Sequence, residues 1–393
     1  MEILFALGMS LSSPGPSVHL LKDVIKTFEE DKLFSTTIFE KNFTINEITK
    51  IDNHINFPFK KTNKRLLFSR YTKEIHYLQE IIKYIEENHL TFDVVFVQSS
   101  PVAYILINYF KKNSKSKIVY NVQDIFPDNA MLLSQYSKLF LLPFLKKTLD
   151  AYNNSDLIIT ISDDMRDTLS SKGISKEKIV TIYNWAPKSE QIKKDNFNYF
   201  YQDERLANKF IVLYAGNIGR FQDVGTIIKA ANLIKNDSII FVVMGDGALS
   251  KNIAKRAKSN KNRNLVFLPP QSFGNMPLIY SSANVNIISL RRGVFKTALP
   301  SKLAFCLNAG KPIILSIENY SKIVRYFLND ESVTICEPEN PNQLAQSIVN
   351  VHRTFVQNGF SSDIKTKNEA ITSIISDKNY LKYKNAILRL LNL

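Results

Sequence analysis

Leu213-Tyr214-Ala215-Gly216-Asn217-Ile218-Gly219-Arg220 reads as a buried strand that runs straight into a glycine-bearing turn, with a helical pattern from about Asp223. Such a turn lets backbone approach an anion, and the first turn of the helix behind it offers unpaired N–H groups. Arg220 adds a planar guanidinium suited to phosphate oxygens. A tight β-α turn carrying a solvated arginine has the same appearance, so the neighbouring segments must decide. A second glycine turn, Met244-Gly245-Asp246-Gly247, closes the strand expected at 238–244. Both turns then fall at the carboxyl edge of one sheet, where open α/β sheets bind ligands.

The third segment is Ala298-Leu299-Pro300-Ser301-Lys302-Leu303-Ala304-Phe305-Cys306-Leu307-Asn308-Ala309-Gly310-Lys311-Pro312. Ser301 is expected to cap a helix that ends at Gly310, with Pro312 leading into a buried strand. Lys302 then lies in the first helical turn, where a cation opposes the helix dipole unless an anion sits nearby.

Beyond these segments, short β-branched or aromatic runs alternate with amphipathic stretches, the pattern of repeated β-α units and parallel sheets. Strands are expected at 2–7, 34–39, 93–98, 117–122, 156–161 and 178–183, and again at 210–215, 238–244, 264–268, 284–290, 312–316 and 332–336. Two such sets imply two α/β domains, 1–190 and 191–365, with the linker inside 185–208 and a C-terminal helical segment at 366–393. A chain of 393 residues is long enough for two cores.

Composition narrows the function classes. No run approaches the ~18 apolar residues of a membrane helix, and the apolar start Met1–Gly8 has no basic leader and reads as a first strand. Cys306 and Cys336 are the only cysteines, without metal-site or disulfide spacing, so a reducing cytoplasmic setting and no metal are expected. The net charge of +15 is uneven: 24 Lys/Arg stand against 22 Asp/Glu up to residue 190, and 27 against 14 afterwards. A basic C-terminal half suits a polyanionic ligand, whether nucleotide, nucleic acid or anionic membrane. No recognised nucleic-acid module accompanies the charge, so no nucleic-acid partner is expected.

In order and spacing the three segments resemble the donor half of glycosyltransferase family four, retaining enzymes of GT-B fold. Val119-Tyr120-Asn121-Val122-Gln123-Asp124-Ile125-Phe126-Pro127-Asp128 resembles the strand-to-loop segment of a bacterial subgroup that includes amino-sugar transferases of surface-polysaccharide assembly. The resemblance implies two Rossmann-like domains with parallel sheets facing across a cleft, the C-terminal segment crossing back to the first domain. It implies a nucleotide-diphosphate sugar donor, UDP-linked by resemblance, and no cofactor or metal. The acceptor is then a saccharide or an undecaprenyl-diphosphate-linked glycan at the inner membrane surface.

Carried onto this chain, the donor-binding residues are Gly216, Asn217, Gly219, Arg220, Gly245, Asp246, Gly247, Ser301 and Lys302. The family's paired glutamates fall on Thr297 and Phe305 and its usual lysine on Gln222, which leaves Arg220 and Lys302 for the diphosphate and Glu318 as a candidate for the ribose. On the acceptor side, Asp124 can orient or deprotonate a hydroxyl, and Gln123 stands where the family often has histidine. An Asx turn or helix cap is the other reading of Asp124. The loop holding Gly15 and Ser17 is poorer in glycine than the family's. A nucleotide-sugar epimerase of the same fold, or a non-catalytic accessory subunit, are the alternatives.

Residues 57–73 carry six basic and no acidic side chains, and 138–147 is apolar with basic flanks. Basic and aromatic residues so interleaved suit an anionic membrane surface, with Lys60, Lys61, Lys64, Arg65, Phe140 and Phe144 as contact candidates. A packed amphipathic helix with a solvated face fits the same residues.

Overall fold

In the computed structural model, residues 1–13, 15–60, 67–133, 135–187, 198–259, 264–358, 371 and 376–393 are described. The chain divides into two compact units, one of Met1–Tyr183, Lys296–Leu299 and Lys378–Leu393, the other of Asn184–Phe295 and Pro300–Asp377.

The first unit is an eight-stranded sheet of β1 (Glu2–Ala6), β2 (Ser35–Asn42), β3 (Thr49–Ile51), β4 (His54–Pro58), β5 (Val94–Gln98), β6 (Lys117–Val122), β7 (Leu157–Thr160) and β8 (Ile179–Thr181). Their order is β3-β4-β2-β1-β5-β6-β7-β8. All neighbours are parallel except the β3–β4 pair. Helices α1 (Pro16–Glu29), α2 (Leu67–Glu87), α3 (Tyr104–Asn113), α4 (Asp128–Met131), α5 (Gln135–Asn154) and α6 (Asp163–Ser171) join the strands. Runs such as Val94-Val95-Phe96-Val97 are apolar throughout because helices cover both faces of a parallel sheet. On one face Phe5 meets Phe28 of α1 and Phe96, with centroids 5.6 and 5.2 Å away. On the other, Phe57 packs edge-on to Phe39 and to Tyr77 of α2.

The β3–β4 hairpin does not stand among the expected strands. His54-Ile55-Asn56-Phe57-Pro58, one strand in from the edge strand β3, alternates polar and apolar residues and lacks a β-branched run, although Ile55 and Phe57 are buried. Because β1 lies between β2 and β5, the chain's crossovers turn in opposite directions at that point, and the carboxyl ends of β1 and β5 flank the crevice. The C-terminal helix (Asn379–Leu390) closes this unit. Tyr383 stacks by Phe96 at 6.3 Å, Asn379 Nδ2 donates to the Tyr183 carbonyl at 2.9 Å, and Lys384 pairs with Asp31.

The second unit is a six-stranded parallel sheet of β9 (Phe210–Ala215), β10 (Ile239–Met244), β11 (Leu265–Leu268), β12 (Val285–Ser289), β13 (Ile313–Ser316) and β14 (Val333–Cys336). Its order, β11-β10-β9-β12-β13-β14, is the 3-2-1-4-5-6 arrangement of a Rossmann sheet, with the crevice between β9 and β12. Helices α7 (Val224–Leu233), α8 (Ser250–Lys258), α9 (Met276–Ser282), α10 (Lys302–Asn308) and α11 (Pro341–Asn358) connect and cover it.

Removing residues 378–393 uncovers Phe96 and takes the Asn379 bond from the Tyr183 carbonyl. Burying one aromatic side chain and keeping one buried hydrogen bond together contribute a few kcal/mol, roughly 3. The truncated chain is expected to melt several degrees lower, or to lose solubility, in a thermal unfolding experiment. An unchanged midpoint would show that the helix is a passive appendage.

Candidate active site

In the second unit the two glycine turns press against each other. Gly216 N donates to the Met244 carbonyl at 2.9 Å, Ile218 N to the Asp246 carbonyl at 2.8 Å, and Leu249 N to the Ile218 carbonyl at 3.0 Å. A Cβ on Gly245 would stand 1.9 Å from the Gly216 carbonyl oxygen, and one on Gly247 2.5 Å from that of Ile218. Both glycines of the second turn are therefore required by contact with the first. Gly216 itself, at φ +127, has the positive angle that a side chain resists. Asn217, Arg220 and Asp246 are exposed, and Arg220 makes no hydrogen bond or ion pair with the described residues. Asp246 accepts from Ser250 Oγ at 3.0 Å.

The helix behind the first turn differs from expectation. Asp223 caps α7, its carboxylate accepting from Thr226 N at 3.3 Å. A carboxylate already placed at that helix end opposes a second anion there. Gln222 Oε1 is buried without a partner.

The positive charge comes instead from α10. Lys302 is its first residue, 9% exposed, with Nζ 3.6 Å from the centroid of the Tyr214 ring. A Cβ on Gly216 would stand 3.4 Å from that nitrogen, so the ammonium lies against the turn. It has no hydrogen-bond partner among the described residues. Burial lowers its pKa to about 7, an effect only partly countered by Cys306. Ser301 is not the expected cap: its backbone is already helical, at φ −60 and ψ −23, and its side chain makes no capping bond. The helix does end before Gly310, which takes φ +62.

The two positions of the family's missing carboxylates are both occupied by packing. Phe305 is buried against Phe273 and Tyr280, at 5.5 and 5.9 Å. Thr297 is buried in the first unit, where its carbonyl accepts from Ile125 N at 2.8 Å. Glu318 is fully buried: one carboxylate oxygen accepts from Gly293 N at 2.5 Å and the other has no partner among the described residues. It thereby ties the loop after β12 to the loop after β13. No described contact joins it to Lys302 or to the first turn.

In the first unit Asp124 is exposed, bridges Ala298 through the backbone, and accepts from Asn129 Nδ2 at 3.1 Å. It does not cap α4, whose cap is Pro127. Gln123 belongs to a chain of polar groups that the sequence did not flag as a site. Asn121 Nδ2 donates to Gln98 Oε1 at 2.7 Å, Gln123 Nε2 to Asn121 Oδ1 at 3.2 Å, and the Tyr383 hydroxyl to Asn121 Oδ1 at 3.3 Å. Ser17, Leu20, Leu21 and Val24 of α1 complete a small pocket over this chain. Gly15 immediately precedes α1, where Pro16 takes the first helical position. The signal was available: Gln98 and Asn121 are polar residues near the ends of otherwise apolar strands.

Of the membrane-contact candidates, Lys60 is exposed. Lys61, Lys64, Arg65 and the side chain of Phe140 lie outside the described residues. Phe144 is a correction, because it is half-buried and packs edge-on to Tyr71 at 5.0 Å rather than facing solvent. Among the described side chains of α5, the large apolar Leu139 and Leu142 are exposed, at 72% and 51%, followed by exposed Lys146 and Lys147. Among the described residues no helix is long and apolar enough to cross a membrane, and no three His, Cys, Asp or Glu side chains converge as a metal site.

Comparison with known proteins agrees with this geometry. Residues 39–188 match the family described as Glycosyltransferase Family 4, and 197–353 the family described as Glycosyl transferases group 1. The chain is 27% identical over 306 residues to the probable glycosyltransferase WbjE of Pseudomonas aeruginosa, covering 74% of each. It is 28% identical over 200 residues to the putative colanic acid biosynthesis glycosyl transferase WcaI of Escherichia coli, covering 50% of this chain and 49% of that one. The fold matches Anabaena HepE in complex with UDP and glucose with a TM-score of 0.72 at 14% identity, over 100% of this chain and 99% of that one. The chain is a glycosyltransferase of GT-B fold, with a family 4 domain in its first half and a group 1 domain in its second.

Proposed function

We propose that this enzyme transfers a sugar from a UDP-sugar to a saccharide or lipid-linked acceptor during assembly of a bacterial surface polysaccharide, with retention and without a metal. The observation that carries the donor reading is Lys302: a buried amine with no hydrogen-bond partner among the described residues, against Gly216 at the carboxyl end of β9. A group so placed lacks the partner that buried polar atoms almost always have, and a diphosphate oxygen supplies it. The UDP bound to HepE, and the polysaccharide named in the WcaI description, support the donor and the pathway.

Breaking the anomeric bond leaves negative charge on the departing diphosphate. Lys302, Arg220 and those N–H groups of the first turn that are not given to Met244 and Asp246 stabilise that charge more in the transition state than in the bound donor. Two cations beside one turn, Arg220 on it and Lys302 at the start of α10, do the work that a divalent ion does in other sugar transferases. Glu318 offers its free oxygen to a donor hydroxyl. On the first unit, Asp124 acts on the acceptor hydroxyl and Gln123 hydrogen-bonds the acceptor sugar. The same unit rests on the cytoplasmic face of the membrane through Leu139 and Leu142, with Lys60 and Lys146 toward anionic headgroups.

Isothermal titration with UDP tests the donor site. Arg220→Ala is expected to weaken binding about 10- to 100-fold, the scale of one charge-assisted hydrogen bond. Because Arg220 is exposed and unpaired, folding should be unaffected, and wild-type affinity in the variant would place the diphosphate elsewhere. For the membrane reading, Leu139→Ser with Leu142→Ser should reduce co-sedimentation with phosphatidylglycerol vesicles roughly tenfold or more. Equal sedimentation of variant and wild type would remove this face as the contact.

A further inference from the structure

The surroundings of Lys302 carry a consequence for how the donor site fills. Its own helix presents Cys306, whose thiol burial pushes up to about 12 and so keeps protonated. On β9, the Tyr214 phenol donates to the Asn217 carbonyl at 2.7 Å, and burial raises its pKa. On α9, the Tyr280 phenol donates to the Ala215 carbonyl at 3.0 Å and is likewise raised by burial. Strands β12 and β13, Val285–Ser289 and Ile313–Ser316, bring no titratable side chain. Arg220 on the adjoining turn is exposed. Among the described residues no carboxylate therefore supports a charge on Lys302; the Tyr214 ring and, more weakly, the Cys306 sulfur are its favourable neighbours.

We propose that anion binding and proton uptake are a single event at Lys302: the arrival of a diphosphate's oxygens draws a proton from solvent onto Nζ, and departure of the nucleoside diphosphate returns it. The inference rests on the nucleotide-diphosphate reading of the same turn. The physical basis is burial without a counter-charge, which disfavours the ammonium until an anion supplies both hydrogen-bond acceptors and opposite charge. Burial sets the unliganded amine to titrate at about pH 7. Below that pH the site is already charged and affinity is flat. Above it each binding event must first protonate the amine, so affinity falls about tenfold per pH unit until the complex itself deprotonates. The enzyme would then release its nucleoside diphosphate product more readily as pH rises.

Titration calorimetry of the full chain with UDP at pH 8.5, in buffers of different ionisation enthalpy, counts the protons taken up. At that pH uptake should approach one per UDP in wild type, and should vanish in Lys302→Met, which also binds UDP more weakly. The variant should fold well, since it removes a buried amine. Its melting temperature should exceed that of wild type most below about pH 7, the advantage shrinking as pH rises toward the ordinary lysine value of 10.5. UDP binding by wild type without buffer-dependent heat, or the same uptake in Lys302→Met, overturns the proton linkage and leaves the nucleotide site standing. If Lys302→Met binds too weakly to titrate, the wild-type affinity decides: a tenfold fall per pH unit above neutrality supports the linkage, and a flat profile overturns it. Failure of wild type to bind UDP or any other nucleoside diphosphate removes the site reading itself, and the linkage with it.

Discussion

Everything proposed for the second unit depends on how closely two backbone turns approach each other. The Gly216 carbonyl lies where a side chain on residue 245 would begin, 1.9 Å from that ideal Cβ. Only glycine permits the contact, and the contact fixes the carboxyl ends of β9 and β10 relative to each other. With that edge rigid, Gly216 presents an open backbone face to Lys302, whose helix is seated by Phe305 between Phe273 and Tyr280. The amine is thus held by packing on one side and by a turn of fixed shape on the other. An amine without a hydrogen-bond partner among the described residues is tolerated there because burial lowers its pKa to about 7, so that it can shed its charge.

The same reasoning explains the chain's departures from its family. A carboxylate at 305 would have to enter an aromatic cluster, and one at 297 would replace a buried threonine whose backbone joins Ile125. Neither position is free for acid chemistry. On the proposed donor reading, the cations that remain are Lys302, buried and held in place, and Arg220, exposed. Asp223, which caps α7, removes that helix end from the list of anion partners and leaves more of the load on the two side chains.

Much of this was legible in the sequence. Every expected strand is present because each is an apolar run of β-branched or aromatic residues bounded by turn residues, the strongest local signal a parallel sheet gives. The β3–β4 hairpin is not legible in this way, because β3 is only three residues long and the polar His54 and Asn56 interrupt the apolar pattern of β4. The turn-on-turn contact that requires glycine at 245 and 247 is a long-range cause that no local pattern encodes. Ser301 has the residue type of a cap, but its backbone is already helical and its side chain makes no capping bond. Phe144 was taken for a surface group, but its ring turns toward Tyr71. The burial of Lys302 over Tyr214 was hidden for the same reason: the sequence places the two residues near one edge, and only the packing of α10 shows that one covers the other.

The central claim is that a nucleoside diphosphate sits on the first glycine turn and the start of α10. Hydrogen–deuterium exchange of the full chain with and without saturating UDP tests it without disturbing any residue. Bound ligand that accepts hydrogen bonds from backbone N–H groups slows their exchange. Slower exchange is expected in peptides covering residues 213–223 and 300–308, with the strands of the first unit unchanged. UDP binding that leaves both peptides exchanging at their free rates, while protecting a different region, would contradict the account.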